Sequence, residues 1–238
     1  MAVLVLANII IAVATIAQRA TGLGFSLIAV PLLALLYPDS VPAALLILLI
    51  PVNIGMLASD WRSCDRIVLV RMLIGRIVGT LAVATLMADL SERSLSLLIG
   101  VTVVGLVAIA LVGGRLSPGP AGFVAVGVVS GVAGTVAASG GTPLAVALHD
   151  RPGPVLRATI APVLLLGVLV SLVALSVTGH LVAADASRAL ALAPGLVGGM
   201  ALGAGIARYL DGRRHLRPLL LVLGFAGGVS VIARALFE

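Results

Sequence analysis

Gln18-Arg19-Ala20-Thr21-Gly22-Leu23-Gly24 stands in the middle of an otherwise continuous apolar tract, residues 2–36. As one α-helix, at about 1.5 Å per residue, that tract would be about 50 Å long, against a bilayer hydrocarbon core of about 30 Å. The helix must therefore break, and this stretch, with a charge and two glycines, is where. The tract ends at Tyr37-Pro38-Asp39-Ser40. A second over-long tract, residues 120–149, is interrupted in the same manner at Ala138-Ser139-Gly140-Gly141-Thr142-Pro143. Apolar segments at about 41–59, 67–88 and 94–113 follow the first tract, and at about 154–178, 187–208 and 216–236 the second. The connections between them are short and polar, as in Asp60-Trp61-Arg62-Ser63-Cys64-Asp65-Arg66. Trp61, Tyr37 and Tyr209 lie at segment ends, where amphipathic rings suit the headgroup region.

This pattern gives the fold class: an all-α polytopic membrane protein with no room for a soluble domain. Composition agrees. Over 238 residues the chain is 61% hydrophobic and 10% charged, whereas a soluble domain carries about 25% charged residues. The net charge of +6 comes from arginine alone. The arginines are spread over short loops, not gathered in one patch, so the reading is cytoplasm-facing connections and no nucleic-acid partner. The partners expected are the lipid bilayer and a small anionic substrate, with a homodimer compatible with both. The single cysteine, Cys64, excludes an intrachain disulfide and a Cys-rich metal site, and no cofactor is expected. Residues 1–16 are apolar without a basic start and run on into further apolar sequence, unlike a cleaved signal peptide.

The segment order repeats. A shift of 112 residues lays Gly22 on Gly134, Pro31 on Pro143, Leu32 on Leu144, Leu36 on Leu148 and Pro42 on Pro154. A shift of 124 lays Gly75 on Gly199, Gly79 on Gly203 and Gly100 on Gly224. We read two homologous transmembrane repeats, residues 1–116 and 117–238, each of about four apolar segments with the first broken or re-entrant. The loops at 60–66 and 208–217 are the most basic, and the positive-inside rule puts both in the cytoplasm. That requires an odd number of crossings per repeat, hence an inverted pair. Two apolar tracts broken at matching places in two halves mark the binding site of a secondary transporter, because unwound backbone at membrane depth is tolerated only where it is buried in protein or lines a cavity.

Few polar groups lie deep in the apolar tracts: Gln18, Arg19, Asn53, Arg76, His149 and Arg157. No Asp or Glu sits mid-segment, which disfavours a carboxylate proton or sodium relay and favours an anionic substrate. At the second break a half-helix is expected to start at Pro143 with Thr142 as its cap, its free N–H groups turned toward an anion. The substrate-binding set is Gln18, Arg19, Gly22, Gly24 and Ser26 at the first break, Asn53 beyond it, Ser139, Gly140, Gly141 and Thr142 at the second, and Arg157. Arg presents a planar fork that matches oxyanions; Arg19 and Arg157 enter the substrate set, with snorkelling at an interface the alternative for each, and snorkelling is the reading preferred for Arg76. Asn53 serves equally well as interhelical glue, and His149 reads as an interfacial residue.

Several stretches resemble the TauE/SafE (TSUP) family of sulfite exporters, a resemblance that covers nearly the whole chain. Gly22-Leu23-Gly24-Phe25-Ser26-Leu27-Ile28-Ala29-Val30-Pro31-Leu32-Leu33 is similar to the family's glycine-rich first motif. Gly131-Val132-Ala133-Gly134 with Ser139-Gly140-Gly141-Thr142-Pro143 resembles its second-half counterpart. Leu156-Arg157-Ala158-Thr159 and Gly75-Arg76-Ile77-Val78-Gly79 resemble its Arg-Ala-Thr segment and its small-residue third helix. Phe25 and Ser26 depart from the pattern, standing where the family has small residues. The resemblance implies a permease for sulfur-containing anions such as sulfite, sulfonates or thiosulfate in the bacterial plasma membrane, and no enzyme. Two other readings compete: an intramembrane hydrolase built on Ser139 with His149 or His180 as base, and a non-transporting scaffold or subunit, which needs no broken tracts.

Overall fold

The computed structural model describes residues 1–21, 25–37, 41–112, 118–210 and 216–237, and their side chains except those of 19–21, 59–61, 92, 112, 204–210, 216–221 and 223. Among the described residues the chain forms ten α-helices and no strand. They are α1 (Ala2–Thr21), α2 (Phe25–Leu36), α3 (Ala43–Asp60), α4 (Arg66–Met87), α5 (Glu92–Val112), α6 (Pro120–Ala137), α7 (Gly141–Ala147), α8 (Gly153–Val177), α9 (Ala183–Leu210) and α10 (Leu216–Phe237). Helices α4, α5, α6, α8 and α9 each contain a stretch long and apolar enough to cross a membrane. With shorter apolar helices beside them, the chain is a multi-pass membrane protein.

Each over-long tract is described as two helices; the second breaks where expected, and residues 22–24 of the first expected break lie outside the described residues. The first divides into α1 and α2, the second into α6 and α7. At 12 and 7 residues, α2 and α7 span about 18 and 10 Å, too little to cross. Helix α6 stops because Ala138 takes a left-handed φ of 48° and its N–H returns to Ala133 O. That conformation costs a non-glycine residue on the order of 1 kcal/mol. Helix α7 then begins at Gly141, two residues before the expected Pro143, with Gly140 at the cap and no side-chain cap bond. Thr142 therefore lies inside the first turn and caps nothing. Proline fits at the third position because a first-turn N–H lacks a helical acceptor in any case.

Helix α4 shows how the bundle sorts its faces. Ile67, Val70, Ile74, Val78 and Leu81 are exposed at helical spacing, an apolar stripe suited to lipid. The opposite face buries Met72, Gly75, Arg76, Gly79 and Thr80. This face packs on α6 through backbone contact. A Cβ on Gly75 would lie 2.0 Å from Val124 O, and one on Gly127 2.2 Å from Met72 O. Gly79 and Gly131 meet their partners equally closely, the small-residue packing of membrane helices.

Helix α9 packs on α1 in the same style. A Cβ on Gly195 would lie 2.2 Å from Asn8 O. The Asn8 carboxamide is inserted at this point: Nδ2 donates to Ala191 O at 3.0 Å and Oδ1 accepts from Gly195 N–H at 2.7 Å. Ala191 and Gly195 are helical i,i+4 partners next to Pro194, so one side chain bonds both ends of one turn of α9. Further contacts pair α3 with α8, α5 with α10, α4 with α8, α2 with α10 and α7 with α5, among others. Leu27 of α2 and Val146 of α7 share a small apolar cluster with Val107 and Ala110 of α5.

Candidate functional site

Arg76 stands near the middle of the 22-residue α4, about 15 Å from either end at 1.5 Å per residue. That is too far for its side chain to snorkel, and it does not. It is the largest fully buried side chain described, 1% exposed. The guanidinium occupies a slot left by three glycines from three places in the chain. A Cβ on Gly167 of α8 would fall 1.4 Å from Nε, one on Gly140 at the second break 1.9 Å from Nη1, and one on Gly134 of α6 2.6 Å from Nη2. No other residue type leaves this space.

Ser130 holds the group in place. Arg76 Nη1 donates to Ser130 O at 2.7 Å and to its Oγ at 2.6 Å. Ser130 Oγ in turn donates to Gly140 O at 2.7 Å, so one hydroxyl ties the cation to the break. Of the five donors a guanidinium carries, only Nη1 is used in these bonds, and Nε has no partner. No carboxylate among the described residues pairs with Arg76. One turn on, a hydroxyl cluster joins α4, α6 and α8: Thr135 donates to Gly131 O at 2.9 Å, lies 3.3 Å from Thr80 and shares a bond of 2.9 Å with Ser171.

Arg76 lines a cavity of about 20 Å³, room for about one water molecule. Both breaks reach it. From the first come Gln18 and Ser26, from the second Ala138, Gly140, Gly141 and Thr142, with Asn53 of α3 between. Gln18 Oε1 accepts from Phe25 N–H at 3.2 Å, bridging α1 to the start of α2. Ser26 Oγ donates to Ala138 O, so the two breaks are bonded to each other. Asn53 is 1% exposed and its Oδ1 has no partner. Leu46, Leu49, Leu164 and Val168 complete the wall.

The sequence reading thus brings together Gln18, Ser26, Asn53, Gly140, Gly141 and Thr142. Gly22, Gly24 and the Arg19 side chain lie outside the described residues. Ser139 is buried beside the cavity but does not line it, and its Oγ has no hydrogen-bond partner. His149 is engaged by Val146 O at 2.9 Å and by Asp150 at 2.5 Å, and His180 by Thr178 O at 3.1 Å, so neither histidine is hydrogen-bonded to Ser139 Oγ. Arg157 is not on the wall. Its guanidinium folds back over the first turn of α8, 3.2 Å from where a Cβ on Gly153 would be. Among the described residues the cation on the cavity wall is Arg76, which sequence reasoning assigned to snorkelling. The signal was available in its position: mid-segment, flanked by Gly75 and Gly79. The sole cysteine, Cys64, is remote from the cavity, and burial pushes its thiol up.

The family model for the sulfite exporter TauE/SafE matches residues 7–231. No curated protein matches the chain. No solved structure matches it either.

Proposed function

The chain belongs to the TauE/SafE sulfite exporter family, and from that premise we propose that it carries small sulfur oxyanions or organosulfonates across the bacterial plasma membrane, binding them against Arg76 between the two breaks. The family is one of sulfite-exporter-type membrane transporters. The observation that carries the finer reading is a buried guanidinium with no carboxylate partner among the described residues, on the wall of a cavity lined from both tracts. An unpaired buried charge costs several kcal/mol, and intramembrane charges mark substrate paths. An anion is the group that would offset this one.

The expected source of positive potential, a helix N-terminus at each break, changes on this reading. Helix α7 has 7 residues, so its dipole is small, and Gly141 and Thr142 supply first-turn backbone to the wall. Arg76 supplies the charge. A cavity of about 20 Å³ is smaller than a sulfur oxyanion, so loading requires the walls to part, as alternating access does. We also read the packing as two inverted repeats, 1–116 and 117–238. The pairings exchange when the halves are exchanged: α4 with α6 answers α1 with α9, and α3 meets α8 as α5 meets α10. Ser26 and Ala138, bonded to each other, are 112 residues apart, the offset that relates the halves. An anion leaving a cell that is negative inside gains about 2.3 kcal/mol per charge per 100 mV, so export needs no coupling ion.

Proteoliposomes loaded with labelled sulfite and held at a set membrane potential test the reading. Efflux that rises with interior-negative potential is expected. Folded protein that moves neither sulfite nor an alkanesulfonate overturns it.

A further inference from the structure

We propose that the anion held against Arg76 is singly charged and still carries a proton, an oxyacid monoanion of the hydrogensulfite type, and not a dianion. This rests on the transport reading above. Charge is the first ground. Arg76 is the sole charged side chain lining the cavity among the described residues, and no other titratable group there faces it. A monoanion and one guanidinium form a neutral pair. A dianion would leave a net negative charge buried, which a low-dielectric site disfavours.

The second ground is the hydrogen-bond inventory. The cavity wall carries two buried groups with opposite needs: Arg76, whose Nε–H finds no acceptor, and Asn53, whose Oδ1 finds no donor. A fully deprotonated oxyanion offers acceptors only. It satisfies Arg76 and leaves Asn53 Oδ1 without a donor, at the full desolvation cost of that oxygen. A singly protonated oxyanion offers both, an O⁻ for the guanidinium and an O–H for Asn53. Sulfite exchanges its second proton near neutral pH, so both forms are present in solution and the site selects between them. The balance is simple: the proton leaves with the anion, and one negative charge crosses per sulfur.

Charge movement and labelled sulfite efflux are measured together in voltage-clamped proteoliposomes across a symmetric pH series. One charge per sulfite is expected, with a rate at fixed total sulfite that falls as pH rises, in step with the singly protonated fraction. Asn53→Ala should slow sulfite about tenfold at unchanged charge per sulfite. Two charges per sulfite, a rate that climbs with pH, or an Asn53→Ala protein as fast as wild type overturns the proposal. The charge count needs only the wild type. Wild-type protein that moves no sulfite removes the transport reading and this inference with it, whereas two charges per sulfite removes this inference alone.

Discussion

Gly167→Ala places a methyl group 1.4 Å from Arg76 Nε and 2.3 Å from its Cδ, so the guanidinium must leave its slot. Transport should fall at least tenfold while the chain still folds, as read by sulfite flux alongside thermal unfolding in detergent. Gly105→Ala is the matched control: a Cβ there meets nothing within 4 Å, and flux and stability should hold. A second test at this scale concerns charge. Met200 stands 124 residues after Arg76, at the offset that lays Gly75 on Gly199. Arg76→Met removes a buried charge, and since unpaired buried charge is costly, its melting temperature without substrate should equal or exceed that of wild type. A marked fall would make Arg76 a structural pin. Gln18 and Asn53 were legible from their rarity in apolar sequence, and Ser26 from its place beside the first break. Arg76 was misread because an arginine in a membrane segment snorkels when an end is near, and no end is near here. Arg157 misled for the converse reason: it sits in the first turns of α8, within reach of the interface.

At the scale of helices, the account turns on backbone contact. Gly127→Val drives a side chain into Met72 O, 2.2 Å from its Cβ, and should separate α4 from α6 and displace Arg76 with them. Loss of the folded fraction in size-exclusion profiles is expected. Asn8→Leu removes both bonds from α1 to this turn of α9, and should cost about 1 kcal/mol in denaturant titrations, with sulfite flux retained in the folded fraction. Segment positions were legible to within a few residues, because hydropathy and bilayer thickness dictate them: the segment expected at 67–88 is α4 at Arg66–Met87. The start of α7 was not, because capping by Thr142 and initiation at Gly141 differ by local backbone geometry that Gly140 permits. Asn8 also escaped notice, since its role depends on a partner helix 183 residues away.

For the whole molecule, the inverted reading predicts a definite topology. Reporters fused within 62–66, between α3 and α4, and within 211–215, between α9 and α10, should both read cytoplasmic: α9 answers α4 in the opposite sense in an inverted pair, which brings these two non-corresponding basic loops to one side; opposite sides would end the inverted reading. The two broken tracts, their matching positions and the absence of mid-segment acids were visible in the chain. That the breaks meet, that Ser26 bonds Ala138, and that one charge serves a cavity shared by both halves depend on three-dimensional pairing. Isothermal titration of sulfite into purified wild type and Arg76→Met tests the central claim most directly. Saturable binding to wild type is expected, weakened at least 30-fold in the variant, the scale of losing one partner of a buried charge pair. Equal affinity in both proteins would contradict the account, because the anion would then be held without the buried guanidinium.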